Sequence, residues 1–319
     1  MKIVAYDELP RRLDRHRGLL QLSGFQLAWT RRIVDLYRRN TDLLSDHVGL
    51  YAIEAGEVLG QVVVFRMPYT FPVGVGRVAG LSFVVTRPDS GRRGIARLLL
   101  AEAHQRERAA GIGHVILWTS RAWAAHRIYE KMGYRDLYGV RWGFRERSQR
   151  DPLPRGYQIR VATRSDLKRL ERFHSEVARG RWGFVPRTKA LFQTDNRAHE
   201  LEVSSLRVLI HHDRLSGYAL CETVPGGVTC GELLGANSRE EEVLIQAVER
   251  EAGGGFSAFA FTPLTQRLRW FAKRGYAISP GAYQVCMGMS LSRIKSESEA
   301  RSEFGTYDRR FLCLSQDRF

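Results

Sequence analysis

The chain has 319 residues, 44% of them hydrophobic and 26% charged, which excludes an intrinsically disordered protein and predicts two domains. Fifty basic against 34 acidic residues leave a net charge of +16, which suits nucleic acid, a ribosome or a phosphate-rich ligand. Of the basic residues 44 are arginine, and no zinc-finger spacing or RNP-like aromatic run accompanies them, so nucleic-acid binding is kept only as a minor reading. The apolar runs are too short to span a bilayer, and no membrane association is expected. The opening Met-Lys-Ile-Val-Ala-Tyr-Asp-Glu lacks an apolar signal core, which predicts a cytoplasmic location.

Along the chain, Lys2–Ala5 reads as a strand followed by a helical stretch. Leu50–Ile53 and Val58–Phe65 flank Glu54-Ala55-Gly56-Glu57 as a hairpin, and Val75–Val85 reads as a third strand. The apolar, aromatic stretch Met67–Gly74 between them reads as a loop that either lines a substrate site or packs on a second domain. Ile95, Leu98, Leu99 and Ala103 mark one face of a long helix. His114–Trp118 is a buried-looking strand, and a short helix runs up to Gly133-Tyr134. Gln149–Gly156 is polar and proline-bearing, as inter-domain segments usually are.

The pattern then repeats. Tyr157–Ala162 is a strand, and Thr163 with Asp166 three residues on predicts a capped helix carrying Leu167, Leu170, Phe173 and Val177 on one face. Leu206–Ile210 and Leu215–Cys221 form a hairpin around His211–Arg214, and Val228–Leu234 is the third strand. Ser238-Arg239-Glu240-Glu241 reads as a capping box opening a helix with Leu244, Ala247 and Val248. Phe256–Phe261 and a short helix before Gly275-Tyr276 close the copy. Two copies of one α/β unit follow, over residues 1–148 and 157–290, with a tail at 291–319 that adds a strand or covers a cleft. Cys221, Cys230, Cys286 and Cys313 include no CxxC pair, so no metal is expected, and buried thiols in a reducing compartment are. A two-residue turn at Pro225-Gly226 would set Cys221 opposite Cys230, both reduced.

One segment is chemically specific. From Phe83 through Gly91-Arg92-Arg93-Gly94-Ile95-Ala96-Arg97 to Leu100 the chain reads as strand, Gly/Arg-rich turn and helix N-terminus. The first turn of a helix leaves amide N–H groups unpaired and partly positive. Gly94 permits close approach, Ala96 keeps the surface low, and Arg92, Arg93 and Arg97 add charge, so the turn suits a pyrophosphate. About 25 residues later comes Ser120-Arg121-Ala122-Trp123-Ala124-Ala125-His126-Arg127-Ile128-Tyr129-Glu130-Lys131-Met132-Gly133-Tyr134.

Together the two segments resemble the GNAT superfamily of N-acetyltransferases, specifically over residues 48–135 and in architecture alone over 157–290. Gly91 stands where the family's signature has Arg or Gln, and Ala122 where it often has Asn, with Ser120 close by. The resemblance implies an α/β fold of two tandem GNAT domains, each a mixed, mostly antiparallel sheet flanked by helices. It implies acetyl-CoA as co-substrate, its pyrophosphate on Arg92, Arg93, Gly94, Ile95, Ala96 and Arg97. The pantetheine arm would lie along Val84, Val85 and Thr86, with Ser120 near it. An amine of a small molecule or peptide would attack the thioester directly, and Tyr129 would protonate the departing thiolate. Residues 76–86 contain no Asp, Glu or His, where many relatives carry a carboxylate that assists deprotonation.

A non-catalytic acetyl-CoA sensor with the same fold is the alternative. His126 reads as packed or solvated, and His211-His212 as a solvated turn. In the second copy Glu240-Glu241-Glu242 would repel a pyrophosphate and Trp270 or Phe271 holds the tyrosine position, so that copy is expected to have lost the coenzyme.

Overall fold

The computed structural model describes all residues except 149–150, 262–264, 307, 309 and 313–319. The expected Gln149 and Arg150 of the linker, and Cys313 and Leu314 of the tail, lie outside the described residues. No described helix is long and apolar enough to cross a membrane. The described residues form two compact units, each built on a seven-stranded sheet.

The first unit contains β1 (Lys2–Ala5), α1 (Asp14–Phe25), α2 (Arg31–Asn40), β2 (Leu44–Glu54), β3 (Glu57–Phe71) and β4 (Gly74–Thr86). It continues through α3 (Ile95–Ala109), β5 (His114–Ser120), α4 (Ala124–Lys131) and β6 (Arg135–Gly139). Strands β1 to β4 pair antiparallel, and β4 pairs β5 in parallel. The β2–β3 turn is Ala55-Gly56, both left-handed, which matches the twist of the strands. Successive residues of β3 face opposite sides of the sheet. Gly60 faces α3, where a Cβ would stand 2.9 Å from Ile95 Cγ2, and this close approach presses the helix N-terminus onto the sheet. Gln61 and its partner Val85 face α1, where Gly24 is equally close to Val85.

Met67–Gly74 is not a loop. It continues β3 and β4 out to a turn at Pro72-Val73. Tyr69 packs edge-on and Phe71 tilted against Phe304 of α9 (Glu297–Phe304), so these aromatics anchor a C-terminal helix of the first unit.

The second unit repeats the order with β8 (Tyr157–Val161), α5 (Leu167–Ala178), α6 (Lys189–Ala198), β9 (Leu206–His211), β10 (Arg214–Val224) and β11 (Gly227–Gly235). Then follow α7 (Ser238–Glu251), β12 (Phe256–Phe261), α8 (Thr265–Lys273) and β13 (Ala277–Ile278). Tyr218 and Leu220 pack under α5 and α6, while Ala219 and Cys221 pack under α7, giving a core on each face. Gly217 receives Leu244 of α7 as Gly60 receives Ile95. Asp166 accepts the Thr163 N–H at 2.8 Å and hydroxyl at 2.9 Å, as its spacing predicts. The turn at Pro225-Gly226 sets Cys221 opposite Cys230, and both thiols are free and buried.

Two further expectations need correction. Helix α7 is capped by Asn237, not Ser238. The Asn237 side chain accepts the N–H groups of Arg239 (2.8 Å) and Glu240 (3.2 Å), because a short amide reaches back over the first turn. The units also do not follow the linear boundaries 1–148 and 157–290. Strand β7 (Arg141–Arg145) lies in the second sheet beside β12, and β14 (Gln284–Ser290) lies in the first sheet between β5 and β6. Of the tail, α9 belongs to the first unit, while Phe311 bridges Trp182 and Leu312 joins the core of the second.

Burial lowers the pKa of His47, His104 and His174 to about 4, so all three are neutral in the folded chain at pH 7. The unfolded chain takes up these protons near the ordinary value, 6.5, and the folded chain only near 4, so stability falls as pH drops through that window. Denaturant titrations from pH 7 to pH 4 should record a loss of roughly 1.4 kcal/mol per histidine per pH unit at most. His104→Gln should flatten that slope.

Candidate active site

The site begins where β4 and β5 part. Their parallel pairing runs only from Ala79–Val115 to Leu81–Leu117, yet β4 continues to Thr86 and β5 to Ser120. Past Leu81 the facing edges of the two strands are not bonded to one another. On its other edge β4 pairs β3, with Ser82 opposite Val63 and Val85 opposite Gln61. Phe83 and Val84 thus stand opposite Val62 alone, which is a β-bulge. Phe83 adopts φ +48°, a left-handed conformation uncommon for an aromatic residue. Two buried hydroxyl oxygens, Thr86 Oγ1 on β4 and Thr119 Oγ1 on β5, lie beyond the last shared pair without a partner among the described residues. Buried polar atoms are rarely left so.

The wall on the α1 side is rigid. The Trp29 N–H donates to Gln21 Oε1 at 2.8 Å, and the Trp29 carbonyl accepts from Arg17 Nη1 at 2.5 Å. The indole stacks on Tyr37, with centroids 4.7 Å apart, and meets Phe65 and Phe83 edge-on. Phe25 packs on Phe83 from α1 and stays partly exposed.

Beyond β4, Arg87 pairs with Glu57 and Asp89, and the chain turns through Pro88–Ser90 into α3. Arg92 and Gly94 are both left-handed, at φ +63° and +78°. The first hydrogen bond of the helix is Leu98 N–H to the Gly94 carbonyl at 3.1 Å, and no side chain caps it. The amide N–H groups from Arg92 to Arg97 therefore have no partner among the described residues. A Cβ built on Gly94 would meet nothing within 4 Å, so the space before these donors is open. Arg92 and Arg97 are exposed and unpaired among the described residues, whereas Arg93 is held by Glu54 at 2.8 Å.

Ser120 does not face open space. Its Oγ accepts the Ala122 N–H at 3.2 Å and its carbonyl the Trp123 N–H at 3.0 Å, which shapes the entry to α4. Tyr129 on α4 is 5% exposed, and its hydroxyl makes no hydrogen bond to another described residue. Burial pushes its pKa up to about 12. Its ring meets Tyr134 edge-on, and the Tyr134 hydroxyl is 2.6 Å from His104 Nε2. His126 is packed, its Nε2 2.9 Å from Asp136. Among the described residues no cluster of His, Cys, Asp or Glu could hold a metal.

The acetyltransferase (GNAT) domain family matches residues 20–136, which span this whole arrangement. Residues 20–136 are a GNAT acetyltransferase domain. The match covers the strands, the turn and the helices that build the site, and it leaves the second unit unmatched. Solved structures extend the likeness to the tandem fold. A GCN5-related N-acetyltransferase from Kribbella flavida is 17% identical, over 91% of this chain and 70% of its own, with a TM-score of 0.66. One from Anabaena variabilis is 14% identical, over 91% and 72%, with a TM-score of 0.69. A tandem GNAT protein from the clavulanic acid biosynthesis pathway is 11% identical, over 92% and 99%, with a TM-score of 0.56. No curated protein matches the sequence significantly.

The second GNAT fold lacks the open donors. Asn237 takes up two N–H groups of the first turn, and Glu240 is buried there beside Tyr157 and His211. Glu241 is paired with Arg267. His211 is stacked on Tyr157 at 4.0 Å rather than solvated, while His212 and Asp213 form the left-handed turn. Phe271 is buried against Phe259 and Tyr276, without a hydroxyl to offer.

Some buried polar residues escape sequence reasoning. Glu107 on α3 is fully buried and held by Arg66 at 2.8 Å, and Glu249 on α7 is held by the Tyr276 hydroxyl at 2.7 Å and by Arg274 at 2.5 Å. A carboxylate on the apolar face of each long helix is the signal for them. Thr119 and Gln61 give no such signal, because a single polar residue in a strand is ordinary.

Gly94→Val tests the open cradle. The left-handed φ should cost about 1 kcal/mol, which leaves the domain folded. Calorimetry should then detect no acetyl-CoA binding, whereas unchanged affinity would refute the role of the turn.

Proposed function

We propose that the chain is an N-acetyltransferase that moves the acetyl group of acetyl-CoA to a primary amine of a small molecule or peptide, in its first GNAT fold. The observation that carries this reading is the run of unpartnered amide N–H groups from Arg92 to Arg97, opening past the parted strands. Those donors, with the left-handed Gly94, suit the pyrophosphate, and exposed Arg92 and Arg97 add charge. Arg93 contributes less, because Glu54 already neutralises it. The bulged edge at Val84, Val85 and Thr86 offers backbone groups to the pantetheine arm. Ser120 acts indirectly, by fixing the loop before α4.

The amine nitrogen attacks the thioester carbonyl, the C–N bond forms and the C–S bond breaks. A backbone N–H of the bulge steadies the oxyanion. The nitrogen's proton leaves to water, since residues 76–86 offer no carboxylate or imidazole. Tyr129 donates to the thiolate and regains its proton from solvent. A phenol with a pKa near 12 stays protonated at every working pH, so its proton is there to be given as the charge develops on sulfur. The reaction takes place in a cytoplasmic compartment.

A coenzyme-release assay across a panel of amines tests the activity. Binding of acetyl-CoA without release for any amine would favour a sensor. Tyr129→Phe should bind acetyl-CoA as the wild type does and lose roughly 10²-fold in turnover, the lower end for general acid catalysis. Because the phenol titrates near 12, the pH–rate profile should show no loss from its deprotonation below pH 10.

A further inference from the structure

We propose that Gln61 is a positioning residue for coenzyme binding: its side-chain amide holds the β4 bulge in the shape that the site requires. The inference rests on the reading of the β4 edge as the pantetheine surface. Gln61 lies in the middle of β3, fully buried, between Tyr51 on β2 and Val85 on β4. Every other described residue from Val58 to Phe65 on that strand is hydrophobic or glycine. Its Nε2 donates to the Phe83 carbonyl at 3.4 Å, across the bulge. Its Oε1 has no partner among the described residues.

A buried amide with one long hydrogen bond and one orphaned oxygen is a poor choice for stability alone. Leucine of similar volume would fill the same space between Tyr51 and Val85. The amide makes sense at the one point where the ladder cannot serve itself. The bulge sets Phe83 and Val84 against Val62, so the Phe83 carbonyl is rotated away from a regular strand bond, and Gln61 supplies the donor instead. Phe83 is also the strained residue of the strand, at φ +48°. Strain of this kind persists only where its surroundings over-determine it, and it gathers at functional sites. The Phe83 ring is fixed by Phe25 and Trp29, and its carbonyl by Gln61. Without the amide the peptide unit is free to relax toward a regular strand, which would turn the Val84 and Val85 backbone away from the open edge.

Calorimetric titration of full-length protein with acetyl-CoA from pH 5 to pH 9, for wild type, Gln61→Leu and Gln61→Glu, decides the matter. Gln61→Leu should bind about tenfold more weakly at every pH, as expected for one lost hydrogen bond. In Gln61→Glu, burial raises the carboxyl pKa. The protonated acid can donate to the Phe83 carbonyl, whereas the carboxylate would repel it. The affinity of this variant relative to wild type should therefore approach one at pH 5 and fall about tenfold or more by pH 9. A structural role alone predicts no such pH-dependent ratio. A cooperatively melting Gln61→Leu with wild-type affinity, or a flat ratio for Gln61→Glu, would overturn the proposal, and the second reading stands even if the leucine variant does not fold. Wild-type protein that does not bind acetyl-CoA would instead overturn the function proposed above, and this role with it.

Discussion

Strand β4 bonds to β5 only as far as Leu81, and every candidate binding group of the first unit lies beyond that point. A sheet with two facing edges left unpaired normally invites another strand. Here the edges lead into a turn and a helix whose first amides are also unpartnered. One geometric event thus leaves open strand edges and unpartnered helix amides side by side. The bulge at Phe83, the close approach at Gly60 and the clamp on Trp29 all serve to hold that opening.

The two copies show which features belong to the scaffold and which to the chemistry. Gly60 and Gly217 both admit the long helix, and Glu107 and Glu249 are both buried on that helix against arginine. A buried ion pair contributes little net stability, but removing one partner costs several kcal/mol, so such pairs are retained once present. The chemistry-bearing positions diverge. Gly94 leaves its helix uncapped, whereas Asn237 caps its own. Tyr129 carries a hydroxyl, whereas Phe271 does not. Capping stabilises a helix by the same N–H groups an anion would use, so a helix start can serve one purpose or the other.

The exchange of β7 and β14 changes what a domain is in this chain. Each sheet takes its strand next to the fifth from the other half of the sequence. Truncation at residue 148 would leave the first sheet without β14 and the second without β7, so neither half carries a complete sheet by itself. The aromatic stretch Tyr69–Phe71 fits this pattern, since it anchors α9 from the far end of the chain.

The local elements, and the turn between β4 and α3, were legible in the sequence, because their causes are local. Apolar period, the Thr163–Asp166 cap, the two-residue turns and the Gly/Arg-rich turn before Ile95 act over a few residues. The repeat was legible because the same local signals recur. The exchange of strands was not, since β7 and β14 are both short and neither carries a local signal of the sheet it joins. Nor was the pairing of Arg93 with Glu54, the burial of Tyr129 or the partnership of Gln61 with Phe83, which join residues 22 or more positions apart or depend on what surrounds a side chain. The sequence by itself determined that a strand, a glycine-bearing turn and a helix follow one another at residues 83–100. Only the tertiary structure decided which arginines remain unpaired, where the strands part and what holds them open, because those outcomes depend on hydrogen bonds between elements brought together by folding.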